Sequence, residues 1–500
     1  MTALRRVLIA NRGEIALRIV RACHEEGLEA VAVYSVADRT SPHVRAADYA
    51  VPIGPAPAAD SYLAMDKLIA AARSAGAEAI HPGYGFLAER AAFADAVGAA
   101  GLVFVGPPAE AIRAMGDKTE ARRRMIAAGV PVVPGATAPV ENAAAALALA
   151  RDLGFPLMVK AAAGGGGRGM RIVRSEAELA PALTTAASEA AKAFGDPAVY
   201  LERYVVAPRH VEIQVLADER ATVHFGEREC SVQRRHQKLV EEAPSVAVDG
   251  ALRERMGAAA VAAAAAVGYR GAGTCEFLLA SNGEFYFLEM NTRIQVEHPV
   301  TELVYGVDLV REQLRIARGL GMTPLAGPPA PHGWAIECRI TSEDPAAGFL
   351  PSIGRIEHLE IPAGPGVRWD AGVDAGDEVT LFYDSLLAKL IVWAPDRPQA
   401  IDRMLRALQE LVLVGVPTNQ GFHRRLLSDP AFRAGEIDIQ FLDRRSDLLQ
   451  PARDRRLDAE LAIAAAVAEH MTRDRRRPAV ADAHGSSSAW SRQARADGLR

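Results

Sequence analysis

The stretch GTCEFLLASNGEFYFLEMNTRIQVEHPVT, residues 273–301, predicts a β-hairpin followed by a polar extended segment. Asn282-Gly283 lies between runs rich in Phe, Tyr and Leu, which is a strong signal for a two-residue hairpin turn. A turn of this length sets Glu276 directly opposite Glu289. Carboxylates that face each other across a strand pair repel, so this register predicts a cation between them.

Side chains alternate with period two along a strand, so one face of this segment collects polar groups. In order, that face carries Glu276, Glu289, Asn291, Arg293, Gln295 and Glu297, the last three on condition that the chain stays extended. The opposite face, with Phe277, Leu288 and Met290, is expected in the core. Oxygen ligands of this kind suit a hard ion, Mg²⁺ or Mn²⁺. The alternative is a solvated strand face that holds no ligand.

The composition is that of an ordinary globular chain of 500 residues, 50% apolar and 24% charged. A net charge of −5 gives no reason to expect nucleic acid as a partner. The four cysteines lie far apart without a CxxC pair, which argues against a disulfide frame or a zinc site. The first residues lack the apolar run of a signal peptide, and the longest apolar stretch, 258–267, is too short to cross a bilayer. A cytoplasmic protein without a membrane partner is therefore expected.

Short apolar strands alternate with amphipathic helices over residues 1–115. Strands are predicted at Val7–Ala10, Ala30–Tyr34, Ala79–Ile80 and Val103–Val105, with a helix at Glu14–Glu26. This succession predicts an α/β domain with a doubly wound parallel sheet. The first turn lacks GxGxxG, so a dinucleotide site is not supported. The turn after Ile80 could approach a small molecule, with Tyr84 as a flat contact, or could be an ordinary Gly-Pro turn.

Residues 116–333 form a second predicted domain, with a small subdomain at about 131–204. Its predicted elements are helix Glu141–Leu153, strand Leu157–Ala161, strand Met170–Val173 and helix Glu176–Phe194. The glycine loop 164–169 joins two strands and has no GK[ST], so it is not a P-loop. It can instead fold over phosphates as a lid, with Lys160 supplying a charge, or be a merely flexible loop.

Two later segments are polar. His210, Glu212 and Gln214 share one strand face, where a lone histidine is usually solvated or structurally satisfied. The run Ser231–Glu242 is too dense in charge for a core, and by itself favours a solvated loop. Helices are predicted at Leu252–Val267 and Val307–Arg318.

A third domain, α+β and strand-rich, is predicted at residues 334–446. It has one clear helix, Arg397–Leu411, and Glu337-Cys338-Arg339 on a strand. Residues 447–500 predict a tail with one helix, Leu457–His470, followed by linker or disorder.

Six motifs in this order resemble the biotin carboxylase family of the ATP-grasp superfamily, over roughly residues 4–445. They are Ala10–Ala16, His81–Leu87, the glycine loop, Gln233–Lys238, Glu289–Pro299 and Glu337–Ile340. The resemblance implies a Rossmann-like N-terminal domain, an ATP-grasp domain with a lid, and a C-terminal biotin carboxylase domain. It also implies a reaction, the ATP- and bicarbonate-dependent carboxylation of biotin on a carrier protein through carboxyphosphate.

The same resemblance implies a role for each site residue. The implied contacts to ATP are Lys118, Lys160, Gly165, Gly166, Gly167, Glu202, Arg203, Val205, His210, Gln233, His236 and Leu278. The implied metal ligands are Glu276, Glu289 and Asn291. Bicarbonate would be held by Lys238, Arg293, Gln295 and Val296 and deprotonated by Glu297. Arg339 would stabilise the biotin enolate, and Tyr84 would lie against the biotin ring.

The sequence contains no Met-Lys-Met site for biotin attachment. The expected partners are therefore a carboxyltransferase subunit plus a separate biotin carboxyl carrier protein, unless the chain is truncated, and a homodimer is expected. Two alternatives remain open. Another ATP-grasp ligase would need neither the 233–238 segment nor Arg339. A catalytically silent scaffold subunit would have lost metal ligands or the base, yet every charged position stands here.

Overall fold

The structure is a computed structural model. It describes residues 4–136, 139–140, 142–161, 170–194, 197–325, 327, 329–450, 455–476 and 493. The chain divides into two compact units, Met1–Gln450 and Pro451–Arg500. Among the described residues, no helix combines the length and the apolarity that a membrane span requires.

The first part of the larger unit is the predicted parallel α/β sheet. Its strands are β1 (Arg6–Ile9), β2 (Glu29–Ser35), β3 (Tyr49–Gly54), β4 (Ala79–His81) and β5 (Val103–Phe104). The order is β3-β2-β1-β4-β5, and every neighbouring pair is parallel. The helices are α1 (Gly13–Glu25), α2 (Pro42–Ala46), α3 (Met65–Ser74), α4 (Ala91–Ala99) and α5 (Ala109–Gly116). The sheet confirms the prediction and adds β3, whose exposed, proline-containing sequence hid it.

A second region has its own small sheet and its own core. Helices α6 (Lys118–Ala127) and α7 (Ala143–Leu153) precede β6 (Leu157–Ala161), β7 (Met170–Val173), α8 (Glu176–Phe194) and β8 (Val199–Arg203). The strands pair antiparallel in the order β7-β6-β8, and α7 and α8 pack on them around a separate apolar cluster. The predicted glycine loop, with Gly165, Gly166 and Gly167, lies outside the described residues.

The sheet that carries the polar face is antiparallel and long. In the described chain it consists of β9 (Arg209–Ala217), β10 (Thr222–Arg234), β11 (Gln237–Ala243), β12 (Gly271–Leu279), β13 (Phe285–Asn291), β14 (Trp334–Thr341), β19 (Val367–Ala371) and β21 (Leu386–Ala394). The order is β13-β12-β9-β10-β11-β14-β21-β19. The sheet thus crosses the predicted domain boundary at 333/334 through the β11–β14 pairing. The boundaries at 115, 333 and 446 stay predictions.

Helices cover this sheet and close the larger unit. They are α9 (Gly250–Ala265), α10 (His298–Tyr305), α11 (Leu309–Ala317), α12 (Arg397–Glu410), α13 (Gln420–Ser428), α14 (Pro430–Ala434) and α15 (Phe441–Arg444). Short strand pairs complete it: β15 (Glu343–Asp344) with β16 (Leu350–Pro351), β17 (Gly354–Arg355) with β20 (Glu378–Val379), and β18 (His358–Glu360) with β22 (Val412–Val414). The predicted helix Arg397–Leu411 is present as α12. Sequence analysis did not predict the short helices α13–α15, whose Phe422, Phe432 and Phe441 pack into the same apolar core as α12. The second unit contains α16 (Arg455–Arg476), longer than predicted.

The hairpin β12–β13 reaches the predicted register by a different route. Ala280 N donates to Glu284 O at 2.8 Å, so the loop has three residues instead of two, with Gly283 at φ +80°. A type I turn followed by a left-handed glycine favours this length. The resulting one-residue shift is reversed by a bulge at Leu288, and Glu276 again pairs with Glu289. Leu288, predicted in the core, is consequently 43% exposed.

Two other local expectations are wrong. The chain does not stay extended to Glu297, because β13 ends at Asn291 and α10 begins directly after Glu297, with Pro299 in its first turn. The charged run Ser231–Glu242 is not a solvated loop. It forms the ends of β10 and β11, with Glu241 and Glu242 fully buried against cationic partners that are distant in sequence.

Asp249 caps α9, the helix that packs on β9 and β10. Its exposed side chain accepts a hydrogen bond from Leu252 N at 2.8 Å. Replacing Asp249 by Ala is expected to lower the free energy of unfolding by about 1 kcal/mol. Asp249→Asn keeps the acceptor and is the control, expected near wild type. Urea unfolding of the three proteins measures this, and equal midpoints for Asp249→Ala and wild type would contradict the cap.

Candidate active site

One ammonium group stands at the centre of the polar sheet face. Lys238 Nζ donates to Glu212 Oε2 at 2.6 Å, to Glu276 Oε1 at 2.9 Å and to Glu297 Oε1 at 2.7 Å. Burial alone would lower the pKa of Lys238, but these three carboxylates outweigh it and raise the pKa well above its usual value. The residues come from β11, β9, β12 and the start of α10, so only the folded sheet brings them together.

Glu297 lies between two cations. Its Oε1 accepts from Lys238, and its Oε2 accepts from Arg339 Nη2 at 3.0 Å. Burial would raise the pKa of Glu297, but Lys238 and Arg339 hold it well below the usual value, so the carboxylate is ionised. Arg339 also donates through Nε to Glu241 Oε1 at 2.6 Å. Of the four predicted catalytic residues, Lys238 and Arg339 therefore both contact a third, Glu297.

The fourth, Arg293, meets an acidic residue from the parallel-sheet domain. Its Nε donates to Glu89 Oε2 at 2.9 Å, and its Nη2 donates to Asn291 Oδ1 at 2.8 Å. Glu89 also accepts from Thr292 N at 3.2 Å. Arg293 thus lies beside the predicted metal ligands, with its guanidinium held by the N-terminal domain.

The predicted metal ligands lie together and are rich in oxygen. Glu276 is buried and accepts from Lys238, from Asn291 Nδ2 and from Gln295 Nε2, while its Oε2 lies 2.9 Å from His210 Nε2. Partial desolvation, and then the Glu276 charge opposite, raise the pKa of Glu289, whose side chain faces outward. The Glu276 charge raises the pKa of His210 against the lowering effect of burial. Two acidic side chains placed in this way fit a hard cation. Glu276 would have to give up one of its hydrogen bonds to bind that cation.

A second buried cation, Arg228 on β10, was not predicted as a site residue. Its guanidinium donates to Glu212 Oε1 (2.5 Å), Gln214 Oε1 (2.7 Å), Thr301 Oγ1 (3.0 Å), Thr274 Oγ1 (3.0 Å) and Gln295 Oε1 (2.7 Å). These five acceptors match the five N–H donors of a guanidinium. Arg228 therefore fixes Glu212 and Gln295 from behind the site.

The predicted nucleotide contacts that belong to the described residues come from several elements of the fold. Lys160 Nζ donates to both oxygens of Glu202 at 2.9 Å, across the β6–β8 pair. Leu278 pairs with His210, and Gln233 pairs with Lys238. His236 is exposed in the β10–β11 turn, Arg203 is exposed, and Val205 is half-buried. Lys118 begins α6, and its charge partly offsets the rise in the pKa of Glu289.

Tyr84 lies in the turn after β4 and donates its hydroxyl to Glu14 Oε1. Glu14 also pairs with Lys389 at 3.1 Å, a lysine whose side chain is fully buried. Lys389 Nζ donates in turn to Val296 O at 2.7 Å. This chain of contacts ties the turn of the parallel sheet to the segment that precedes Glu297.

Sequence reasoning missed Arg228, Glu89, Glu241 and Lys389. Period-two alternation places Arg228 on a strand face with Cys230 and Val232, where a charged group among apolar ones signals a buried partner. Lys389 carries the same signal, because it lies between apolar residues of the strand Leu386–Ala394. Glu89 carries no such signal, and its partner Arg293 is 204 residues away.

Comparisons with known proteins identify the family of the chain. Family descriptions match in sequence: "Biotin carboxylase, N-terminal domain" at residues 3–112, "Carbamoyl-phosphate synthase L chain, ATP binding domain" at 117–324, and "Biotin carboxylase C-terminal domain" at 337–444. A biotin carboxylase of Nostoc sp. is 54% identical over 438 residues, covering 87% of this chain and 98% of the relative. A biotin carboxylase of Pseudomonas aeruginosa is 52% identical over 444 residues, covering 88% and 98%.

A solved structure is similar over most of its length. The biotin carboxylase domain dimer of the 2-oxoglutarate carboxylase of Hydrogenobacter thermophilus, in complex with MgADP and bicarbonate, has a TM-score of 0.81 and 45% identity. The match covers 91% of this chain and 100% of that one.

The fold and the site define an ATP-dependent ligase of the ATP-grasp superfamily. Within that class, the chain belongs to the biotin carboxylase family.

Replacing Arg228 tests how much the pairing of buried charges contributes to the stability of the fold. Arg228→Met keeps a similar volume but leaves Glu212 with one cation fewer, and is expected to lower the free energy of unfolding by about 3–5 kcal/mol. The control is Arg113→Met, because Arg113 forms exposed ion pairs with Glu110 and Asp95. That control is expected to change stability by about 0–1 kcal/mol. Equal unfolding midpoints for the two variants would refute the compensating role.

Proposed function

We propose that this chain carboxylates biotin with ATP and bicarbonate, as the first half-reaction of a biotin-dependent carboxylase. The observation that carries the proposal is the placement of the Glu297 carboxylate between Lys238 and Arg339. Glu297, the proposed base for bicarbonate, is thus in direct contact with Arg339, the proposed guanidinium for the biotin enolate. Two steps that each form an anion can then take place at one site.

In the first step, Lys238, Arg293, Gln295 and Val296 hold bicarbonate. Glu297 removes its proton, a bicarbonate oxygen bonds to the γ-phosphorus of ATP, and the bond from that phosphorus to the ADP oxygen breaks. Carboxyphosphate and ADP result. Preorganised cations stabilise the charge that develops on the transferred oxygens.

The basicity of Glu297 depends on how the cations are shared. With Lys238 and Arg339 both on the carboxylate, its pKa is well below the usual value, which makes it a weak base. When bicarbonate takes over contacts from Lys238, this stabilisation of the ionised form weakens and the pKa of Glu297 rises. Substrate binding therefore activates the base.

The nucleotide would lie along the cleft between β8 and the polar sheet face. Lys118, Lys160 and His210 are the proposed phosphate contacts, together with the lid glycines 165–167. Backbone groups of 202–205 would hold the base, and Gln233, His236 and Leu278 complete the contacts. Lys160 is bound to Glu202 here, so it must share its ammonium group when a phosphate arrives.

Glu276, Glu289 and Asn291 are the proposed ligands of Mg²⁺, with Mn²⁺ as a substitute. The cation would neutralise phosphate charge and relieve the repulsion between the two carboxylates. In the second step, carboxyphosphate breaks into CO₂ and phosphate, the phosphate takes the N1′ proton of biotin, and N1′ bonds to the carbon of CO₂. Arg339 stabilises the enolate of biotin that forms, and Tyr84 contacts the ring. The proposed partners are a biotin carrier chain, a second copy of this chain and a carboxyltransferase subunit.

The metal ligands give the first functional test. Glu289→Gln removes a negative ligand while leaving Glu276 in its hydrogen-bond network, and is expected to raise the Mg²⁺ concentration required for half-maximal ATP cleavage. Glu284→Gln, on the exposed hairpin turn, is the control. ATP cleavage measured across Mg²⁺ concentrations reports this. An unchanged requirement and rate in Glu289→Gln would refute the ligand assignment.

Arg339 and Arg293 give the second functional test. Arg339→Ser is expected to slow biotin carboxylation by about 10²–10³ while bicarbonate-dependent ATP cleavage without biotin persists. Arg293→Ala should depress both reactions, because Arg293 lies beside the metal ligands. ADP release with bicarbonate, measured with and without free biotin, separates them. If Arg339→Ser abolishes the biotin-independent reaction as fully as Arg293→Ala, the assigned division of roles fails.

A further inference from the structure

Arg339 has two carboxylate partners, and one of them has no assigned role. Nη2 donates to Glu297 Oε2 at 3.0 Å, Nε donates to Glu241 Oε1 at 2.6 Å, and Glu241 Oε1 also lies 2.5 Å from Nη2. None of the hydrogen bonds of this guanidinium to described residues uses Nη1. Glu241 is fully buried on β11, three residues after Lys238.

We propose that Glu241 is the positioning residue of Arg339, which holds the Nε–Nη2 edge of the guanidinium and leaves Nη1 for biotin. This inference rests on the proposed function. An arginine side chain has about 2 kcal/mol of rotamer entropy, so without an anchor it would sample several orientations. Glu241 is fully buried on β11, and we take it as the anchor that substrates do not displace.

Glu297 cannot supply the same anchor. It is shared with Lys238, and its hydrogen bonds must rearrange when it receives the bicarbonate proton. A neutral Glu297 would bind Arg339 less strongly, at the very stage when biotin is due to be carboxylated. Glu241 then keeps the guanidinium in place through the second step.

The surroundings of Glu241 direct its charge toward Arg339. Glu337, on β14, pairs with Glu241 across the strands and is fully buried, and neither of its oxygens has a hydrogen-bond partner among the described residues. Burial raises the pKa of Glu337 well above its usual value, which favours its neutral form. Burial also raises the pKa of Glu241, to about 7, while Arg339 lowers it. Glu241 Oε2 lacks a partner in the described chain, so Arg339 is the hydrogen-bonded counterion of the ionised Glu241 carboxylate there.

The test compares Glu241→Gln with Glu337→Gln in the full chain, using free biotin. Glu241→Gln keeps the shape but loses the charge, and is expected to lower kcat/KM for biotin by about 10- to 100-fold, mainly through KM. Bicarbonate-dependent ATP cleavage without biotin should persist and lose much less than biotin carboxylation, which also shows that the variant is folded. Glu337→Gln exchanges one neutral group for another and should leave both reactions unchanged.

A double-mutant cycle separates positioning from a general structural effect. If Glu241 acts through Arg339, Glu241→Gln causes no further loss of biotin carboxylation in an Arg339→Ser background. Additive losses would overturn the proposal, as would an equal loss of both reactions in Glu241→Gln and in Glu241→Asp, which retains the charge. Absence of biotin carboxylation in the wild-type chain would instead refute the proposed function, and this role with it.

Discussion

The ammonium group of Lys238, shared by the carboxylates of Glu212, Glu276 and Glu297, is the interaction on which the polar sheet face depends. Each of these carboxylates is buried, and a buried charge without a partner is costly. Arg228 and Arg339 complete the compensation at either side. The sheet can therefore hold a dense array of charges only in the pairing order that brings β9, β11 and β12 together.

This compensation also prepares the face for anionic substrates. The cations are already desolvated and oriented by protein carboxylates, so an incoming anion exchanges partners and orders few new groups. Glu89 holds Arg293 and Glu202 holds Lys160 in the same manner. Each pairing keeps a long cationic side chain in place, and each can be given up in part when a substrate oxygen arrives.

Much of the fold follows from local patterns. Alternation of apolar strands with amphipathic helices predicted the parallel sheet, and the boundaries of β6, β7 and α8 agree with the prediction. The hairpin shows the limit of local reasoning. Asn282-Gly283 indicated a turn and the correct Glu276–Glu289 opposition. The loop is one residue longer than predicted, and the bulge at Leu288 cancels the resulting shift in strand register; the turn residues alone predicted neither.

The sequence by itself determined the motifs, their order and the two strands of the carboxylate hairpin, because periodicity and turn preference are properties of neighbouring residues. Only the tertiary structure decided which charges compensate one another. Lys238 and Glu297 are 59 positions apart, and Arg293 and Glu89 are 204 apart. Such contacts arise from strand pairing and domain packing. The charged run Ser231–Glu242, whose local sequence favours a solvated loop, therefore lies on two strands at the centre of the site.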